Sequence, residues 1–336
     1  MVTRRSILSA VVGAATAISA PGILRAQGPK TIRIGEIFPK THPYYKGLAK
    51  FGEELEKRTN GAIKVEVFSD GQLGGEVAIV QGMRTGTVDG GTAAVGTFAQ
   101  TTNQRKYFIL DMPFLFDTYD QYDKWAESDL AEELRSGIAE KTGVRILAFG
   151  GAGMDQILNS KKPIFKPEDL KGLKMRVWES RSAQLSFEIT GMTATPMPYG
   201  EVFTSLQQGV IDGLVNTMTT FHQTKMYEVA KYLSLSNHLY VCMPLMLSER
   251  VFQSVGKPEQ TAMIESAKVA TKYWRGIYPT DDQSYLKLLT EAGCKVNEVD
   301  RRAFKEHAQS GYGKFVDLIN EPGTKELIDK FKKYSA

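Results

Sequence analysis

Apolar positions along the chain fall into two alternating patterns. From Thr31 to Ile37 they crowd a short segment that reads as a buried strand. From Tyr44 to Thr59 they recur at helical spacing, with Leu48, Phe51 and Leu55 on one face and Gly61 just past the end. Lys64–Phe68 is the next strand and Glu76–Thr85 the next helix; Val88–Ala94 and Val144–Phe149 read as further strands. No long linker, low-complexity tract or block of like charge interrupts the series. Such alternation predicts an α/β protein with mainly parallel sheets.

The pattern also echoes itself. Gly86, Thr87, Val88, Asp89 and Gly90 are matched by Gly209, Val210, Ile211, Asp212 and Gly213, each shifted by 123 positions, and Thr97 and Phe98 fall on Thr220 and Phe221. Each copy reads as a helix that stops at glycine, turns through Asp-Gly and enters a sheet. Coincidence between two ordinary helix–strand units is the bland alternative. Taken at face value, the echo implies two similar lobes with a ligand cleft between them.

The start of the chain changes the picture of where it works. Arg4 and Arg5 precede an apolar run from Ile7 to about Ala20, too short and too rich in Ala, Gly and Ser for a comfortable membrane span. We expect residues 1–26 to be a twin-arginine-like signal peptide, cleaved after Ala26, and the mature protein to be periplasmic. Of 42 basic residues, Arg4, Arg5 and Arg25 lie in this leader, so 39 remain against 38 acidic ones. A nearly neutral mature chain gives no reason to expect nucleic acid or a membrane surface as partner. Cys242 and Cys294 are expected to be free, buried thiols.

Several chemistries find no support. His42, His222, His238 and His307 are scattered, without metal-ligand spacing, and neither a nucleophile elbow nor a phosphate loop occurs. Gly151-Ala152-Gly153 follows a strand as a dinucleotide fingerprint would, but Gln156 stands where the third glycine belongs. We therefore expect no cofactor, no metal and no catalysis.

Between Leu173 and Trp178, apolar Leu173, Met175 and Val177 alternate with Lys174, Arg176 and Trp178. A guanidinium on such a strand can grip a carboxylate through two parallel hydrogen bonds. Alone it would read as an ordinary solvated arginine. Its surroundings are more telling. Pro167 to Val177, Pro196-Met197-Pro198-Tyr199-Gly200-Glu201-Val202, the run from Leu206 through Asp212-Gly213 to Asn216, and Phe68-x-x-Gly71-Gln72-Leu73-Gly74 stand in order along the mature chain. Together they resemble the solute-binding proteins of tripartite ATP-independent periplasmic (TRAP) transporters, the DctP type. The resemblance implies two α/β lobes, each a mainly parallel sheet flanked by helices, joined by a hinge. It assigns 30–152 and 242–281 to lobe I, and 153–241 and 282–336 to lobe II. It also implies a small organic acid as ligand, TRAP membrane subunits as partners, and a monomeric receptor.

By this resemblance Arg176 pairs with the ligand carboxylate, Asn216 reaches the same region and Tyr199 lies against the ligand. Trp178 stands where proline is common in the family, and its indole could cap the pocket. A second arginine is usual where this chain has Asp155. Glu36 and Glu76 add acidic groups that face the cleft by analogy. Several carboxylates near one arginine disfavour a dicarboxylate and suit a hydroxylated monocarboxylate, such as a uronate or aldonate. An amino acid or ectoine-like zwitterion is the alternative, and an enzyme acting on such acids a more distant one.

Overall fold

The computed structural model describes residues 29–335, so the expected leader and its cleavage site lie outside the described residues. Eleven strands are found there: β1 Lys30–Gly35, β2 Ile63–Phe68, β3 Gly90–Thr92, β4 Val144–Met154, β5 Gln156–Asn159, β6 Lys174–Val177, β7 Thr193–Pro196, β8 Gly213–Asn216, β9 Tyr232–Leu235, β10 Tyr240–Ser248 and β11 Lys295–Glu298. They form two sheets, ordered β2-β1-β3-β10-β4 and β11-β9-β5-β8-β6-β7, each flanked by helices in a two-lobed α/β fold.

Local chemistry sets the element ends. In β1, Ile32 and Ile34 are fully buried while Thr31 and Arg33 are exposed, as a half-buried strand requires. The strand stops two residues before the expected Ile37, because the Glu36 carboxylate accepts from the backbone N–H of Ile37 and Phe38 and turns the chain. The following helix, Pro43–Arg58, opens on His42, whose Nδ1 accepts from the N–H of Tyr44, with Pro43 at its first position. Leu48, Phe51 and Leu55 are its fully buried face. β3 is shorter than expected and lies in a narrow gap: a Cβ on Gly90 would sit 2.8 Å from the Met246 carbonyl, and one on Gly91 2.9 Å from that of Gly35. β4 runs five residues beyond the expected Phe149.

The echo has a structural counterpart. Helix Glu76–Thr85 ends at Gly86 (φ 88°) and leads through β3 to helix Val95–Thr102; helix Val202–Gln207 leads past Gly209 (φ 71°) and β8 to helix Met218–Gln223. Phe98 and Phe221 are both fully buried. The surrounding strands match too. β1 is parallel to β2 and β3, as β6 is to β7 and β8, and an antiparallel strand follows on the same side, β10 in one sheet and β5 in the other. Parallel pairing therefore holds within each repeated unit. The antiparallel strands are those that arrive from the opposite lobe.

Two strand-to-strand crossings join the lobes, and the C-terminal helices cross again. One passes from β4 to β5 at Asp155; the other spans residues 236–239 between β9 and β10, and the N–H of Asp155 donates to the Leu239 carbonyl at 2.9 Å. The segment 282–336, expected to lie wholly in lobe II, divides. Helix Ile277–Glu291 packs on helix Met218–Gln223, whereas helix Thr324–Ser335 sets Phe331 against Phe116 and Trp125 of the first lobe, with ring centres 6.0 and 5.5 Å away. An apolar stripe with Phe331 fully buried draws this last helix back across the boundary. Cys242 and Cys294 are free and buried. Among the described residues no helix is long and apolar enough to cross a membrane.

Candidate ligand-binding site

The carboxyl ends of β6 and β8 point at the junction of the lobes, where ligands settle in open α/β sheets. Arg176, on the interior strand β6 between β7 and β8, is 95% buried despite its expected polar face, with Met197 and Tyr199 against its guanidinium. Its Nε and Nη2 both donate to the Met197 carbonyl at 3.1 Å, and its guanidinium lies 5.2 Å from the Tyr199 ring centre. Among the described residues no carboxylate stands within 4.0 Å of it. Burial lowers its pKa, and Glu76 is the strongest opposing influence, with Tyr199, Glu179 and Asp155 behind it. A buried cation that meets only a carbonyl and an aromatic ring is chemically suited to receive an anion.

A cavity of about 40 Å³ adjoins it, lined by Glu76, Asp155, Arg176, Trp178, Tyr199 and Asn216. Six of the seven expected side chains thus converge. Asn216 closes β8, and its Oδ1 accepts from the N–H of Thr217 at 2.8 Å. Asp155 sits at the first crossing; its Oδ1 is buried and has no hydrogen-bond partner. Burial raises its pKa well above the usual carboxylate range, against the pull of Arg176. Glu76 heads its helix and accepts from the N–H of Ala94 at 3.1 Å and from Thr97 Oγ1 at 3.0 Å. Burial raises its pKa as well, and those bonds and Arg176 oppose the rise. Tyr199 shares a hydrogen bond of 2.9 Å with Thr224.

Glu36 is not brought to the cavity. Besides the two backbone amides, its carboxylate accepts from Thr92 Oγ1 at 2.6 Å, so its acceptor capacity serves the turn after β1. Burial pushes its pKa up to about 7.

Phe38, Tyr44, Val241 and Met243 also line the cavity and were not foreseen. Tyr44 reads in sequence as the first residue of an amphipathic helix, and nothing local reveals that the cavity lies beside it. The same loop crosses to the other lobe: His42 Nε2 lies 3.1 Å from Thr220 Oγ1, Thr41 and Gln223 exchange two hydrogen bonds, and the Phe38 ring meets Tyr199 edge-on at 4.6 Å. A wider cleft of about 300 Å³ continues outward from Glu76, Arg176, Trp178 and Tyr199 along Gly74, Gly75 and Gly200. Another hollow, of about 430 Å³, lies elsewhere against helix Lys257–Arg275. Its buried Arg275 is already satisfied by Asp123, Glu127 and the Phe149 carbonyl, so it lacks the open charge that marks the first site.

Comparison with known proteins matches residues 34–317 to the bacterial extracellular solute-binding proteins of family 7, DctP. The 2,3-diketo-L-gulonate-binding periplasmic protein of Escherichia coli strain K12 is 31% identical over 303 residues, covering 90% of each chain. Among solved structures, a TRAP periplasmic solute-binding protein from Sulfitobacter sp. NAS-14.1 with bound β-D-galacturonate superposes with a TM-score of 0.84 at 30% identity, over 90% of this chain and all of that one. The sugar acid binding protein of Advenella mimigardefordensis in complex with galactonate gives 0.85 at 27% identity, over 91% and 99%.

Proposed function

The chain belongs to family 7 of the bacterial extracellular solute-binding proteins, the solute receptors of TRAP transporters, and from that premise we propose that its ligand is a hydroxylated monocarboxylate, a uronate or aldonate sugar acid. The observation that carries this reading is the buried guanidinium of Arg176, without a carboxylate partner and flanked by Asp155 and Glu76. One cation balances one ligand carboxylate. A second ligand carboxylate would be buried beside two acidic side chains, whereas hydroxyls find strong acceptors there. The relatives that hold galacturonate, galactonate and diketogulonate support the same choice.

Arg176, Asn216 and Tyr199 grip the acid from lobe II, with Trp178 capping it and Asp155 at the crossing; Glu76 and Tyr44 meet it from lobe I. The 40 Å³ cavity has room for one or two waters, so a six-carbon acid enters only when the lobes part. The hinge lies at Asp155 and residues 236–239, close to the boundaries 152/153 and 241/242. Closure follows as a population shift, because the acid touches both walls only in the shut form. The receptor works as an exported periplasmic monomer, hands the acid to the membrane subunits unchanged, and has no nucleic-acid partner.

Native mass spectrometry of the purified protein, followed by calorimetric titration with galacturonate, glucuronate, galactonate, succinate and ectoine, tests this. Sugar acids should bind and succinate should not. Binding confined to succinate or to ectoine overturns the ligand assignment, and conversion of the bound acid to product overturns the receptor role.

A further inference from the structure

Asp111 ends the 3₁₀ turn Arg105–Asp111 and is completely buried. Its Oδ2 accepts from Ser182 Oγ at 2.6 Å, and Ser182 in turn lies 2.7 Å from Ser180 Oγ. Asp111 is in the first lobe and both serines are in the second, so these contacts cross between lobes. Its other oxygen, Oδ1, is buried without a partner, and so is the indole Nε1 of Trp178, which lies within reach of the same carboxyl. An unpaired donor and an unpaired acceptor side by side complete each other with a small rotation. The backbone makes room for the carboxyl: a Cβ on Gly96 would fall 2.0 Å from Asp111 Oδ2.

Trp178 lines both the small cavity and the outer cleft, together with Ile37, Glu76, Arg176 and Tyr199, so its ring bears on the shape of each. Phe187 meets its ring edge-on at 5.9 Å. We propose that Asp111 is a positioning residue for Trp178, reaching from lobe I to the indole N–H of lobe II so that the ring is fixed as a ligand wall only while the lobes are shut. This rests on the receptor reading above and adds to it a link between closure and pocket shape. Burial raises the Asp111 carboxyl to about 7, so it enters the shut state largely protonated at mildly acidic pH. Glu76 and Asp155 are the carboxyl groups that interact with it and Cys242 is a thiol that does so too, whereas Ser182, which donates to it, and Trp178, which faces it, are neutral.

A double-mutant cycle with galacturonate as probe tests the assignment. Asp111→Ala should weaken binding about tenfold in the parent but less than twofold in the Trp178→Phe background, and Asp111→Asn, which keeps an acceptor for the indole, should recover most of the loss. Equal losses in both backgrounds, or no recovery by Asp111→Asn, overturn the proposal. Should Asp111→Ala fail to fold, the Trp178 emission change on galacturonate binding replaces it. In the parent that change should titrate with a component near pH 7 that Asp111→Asn lacks; identical profiles overturn the proposal. If the folded parent binds none of the sugar acids, the receptor's ligand is wrong instead, which the titration of the parent alone reveals.

Discussion

Arg176 holds its guanidinium 5.2 Å from the ring centre of Tyr199 and spends two N–H groups on a single carbonyl, that of Met197. An arginine this buried is normally matched by a carboxylate, and among the described residues none stands within 4.0 Å of it. On the reading proposed above, the ligand's carboxylate supplies the missing charge.

Arg176→Ala should accordingly weaken sugar-acid binding by about 2–5 kcal/mol, since the bound carboxylate would be buried unpaired. Arg176→Lys should also lose much of the affinity, because an ammonium cannot reproduce the fork. Calorimetric titration of both variants checks this, and parent-like binding by Arg176→Lys would remove the bidentate geometry from the account.

Tyr199 separates ring from hydroxyl. Tyr199→Phe gives up the bond to Thr224, which lies within the same lobe, and should change affinity by under about 1 kcal/mol. Tyr199→Ala also removes the surface beneath Arg176 and the edge contact with Phe38 across the cleft, and should cost about 1–2 kcal/mol more. A hydroxyl-dominated site would show the reverse order in the same titration.

Asp155 tests whether this site trades stability for binding. Its buried Oδ1 has no partner among the described residues, so Asp155→Leu should raise the unfolding free energy by about 1–2 kcal/mol while weakening the sugar acid. Urea unfolding and titration of one preparation measure both. A variant less stable than the parent would mean that Asp155 supports the fold rather than the ligand. Asp155→Arg, the change that would restore the usual second arginine, is a poorer probe, since the position is 99% buried and cannot accept a longer side chain.

Glu36 should behave differently. Its folded pKa of about 7 stands above the ordinary carboxylate value of 4.5, so its stabilising effect is fully present below 4.5 and is lost as pH rises through 7. Glu36→Gln resembles the protonated acid and keeps an acceptor for the turn. Its melting temperature should match the parent near pH 4.5 and exceed it at pH 8, by up to about 3 kcal/mol of stability, with sugar-acid affinity unchanged. A loss of affinity would return Glu36 to the ligand site.

The sequence made periodic and family-bearing features legible. Helix Glu76–Thr85 has the expected bounds, the 123-residue echo corresponds to matching strand orders, and six expected side chains meet in one cavity. What it concealed was nonlocal. Tyr44 and Phe38 reach the cavity because the loop before helix Pro43–Arg58 folds over the cleft, and no spacing encodes that. The direction of Glu36 depended on hydrogen bonds to its own turn and to Thr92, 56 positions away. The last helix depended on where Phe331 found an apolar wall.

The position of β10 bears on how the protein is made. It lies between β3 and β4, so the sheet that begins at Lys30 has a gap before its edge strand until Ser248 has emerged from the ribosome. β3 and β4 cannot bond directly across that gap, and a nascent chain ending near Asp155 would present two unsatisfied strand edges. Assembly lobe by lobe in the order of synthesis is therefore closed to this chain, and neither half should be obtainable as a folded fragment.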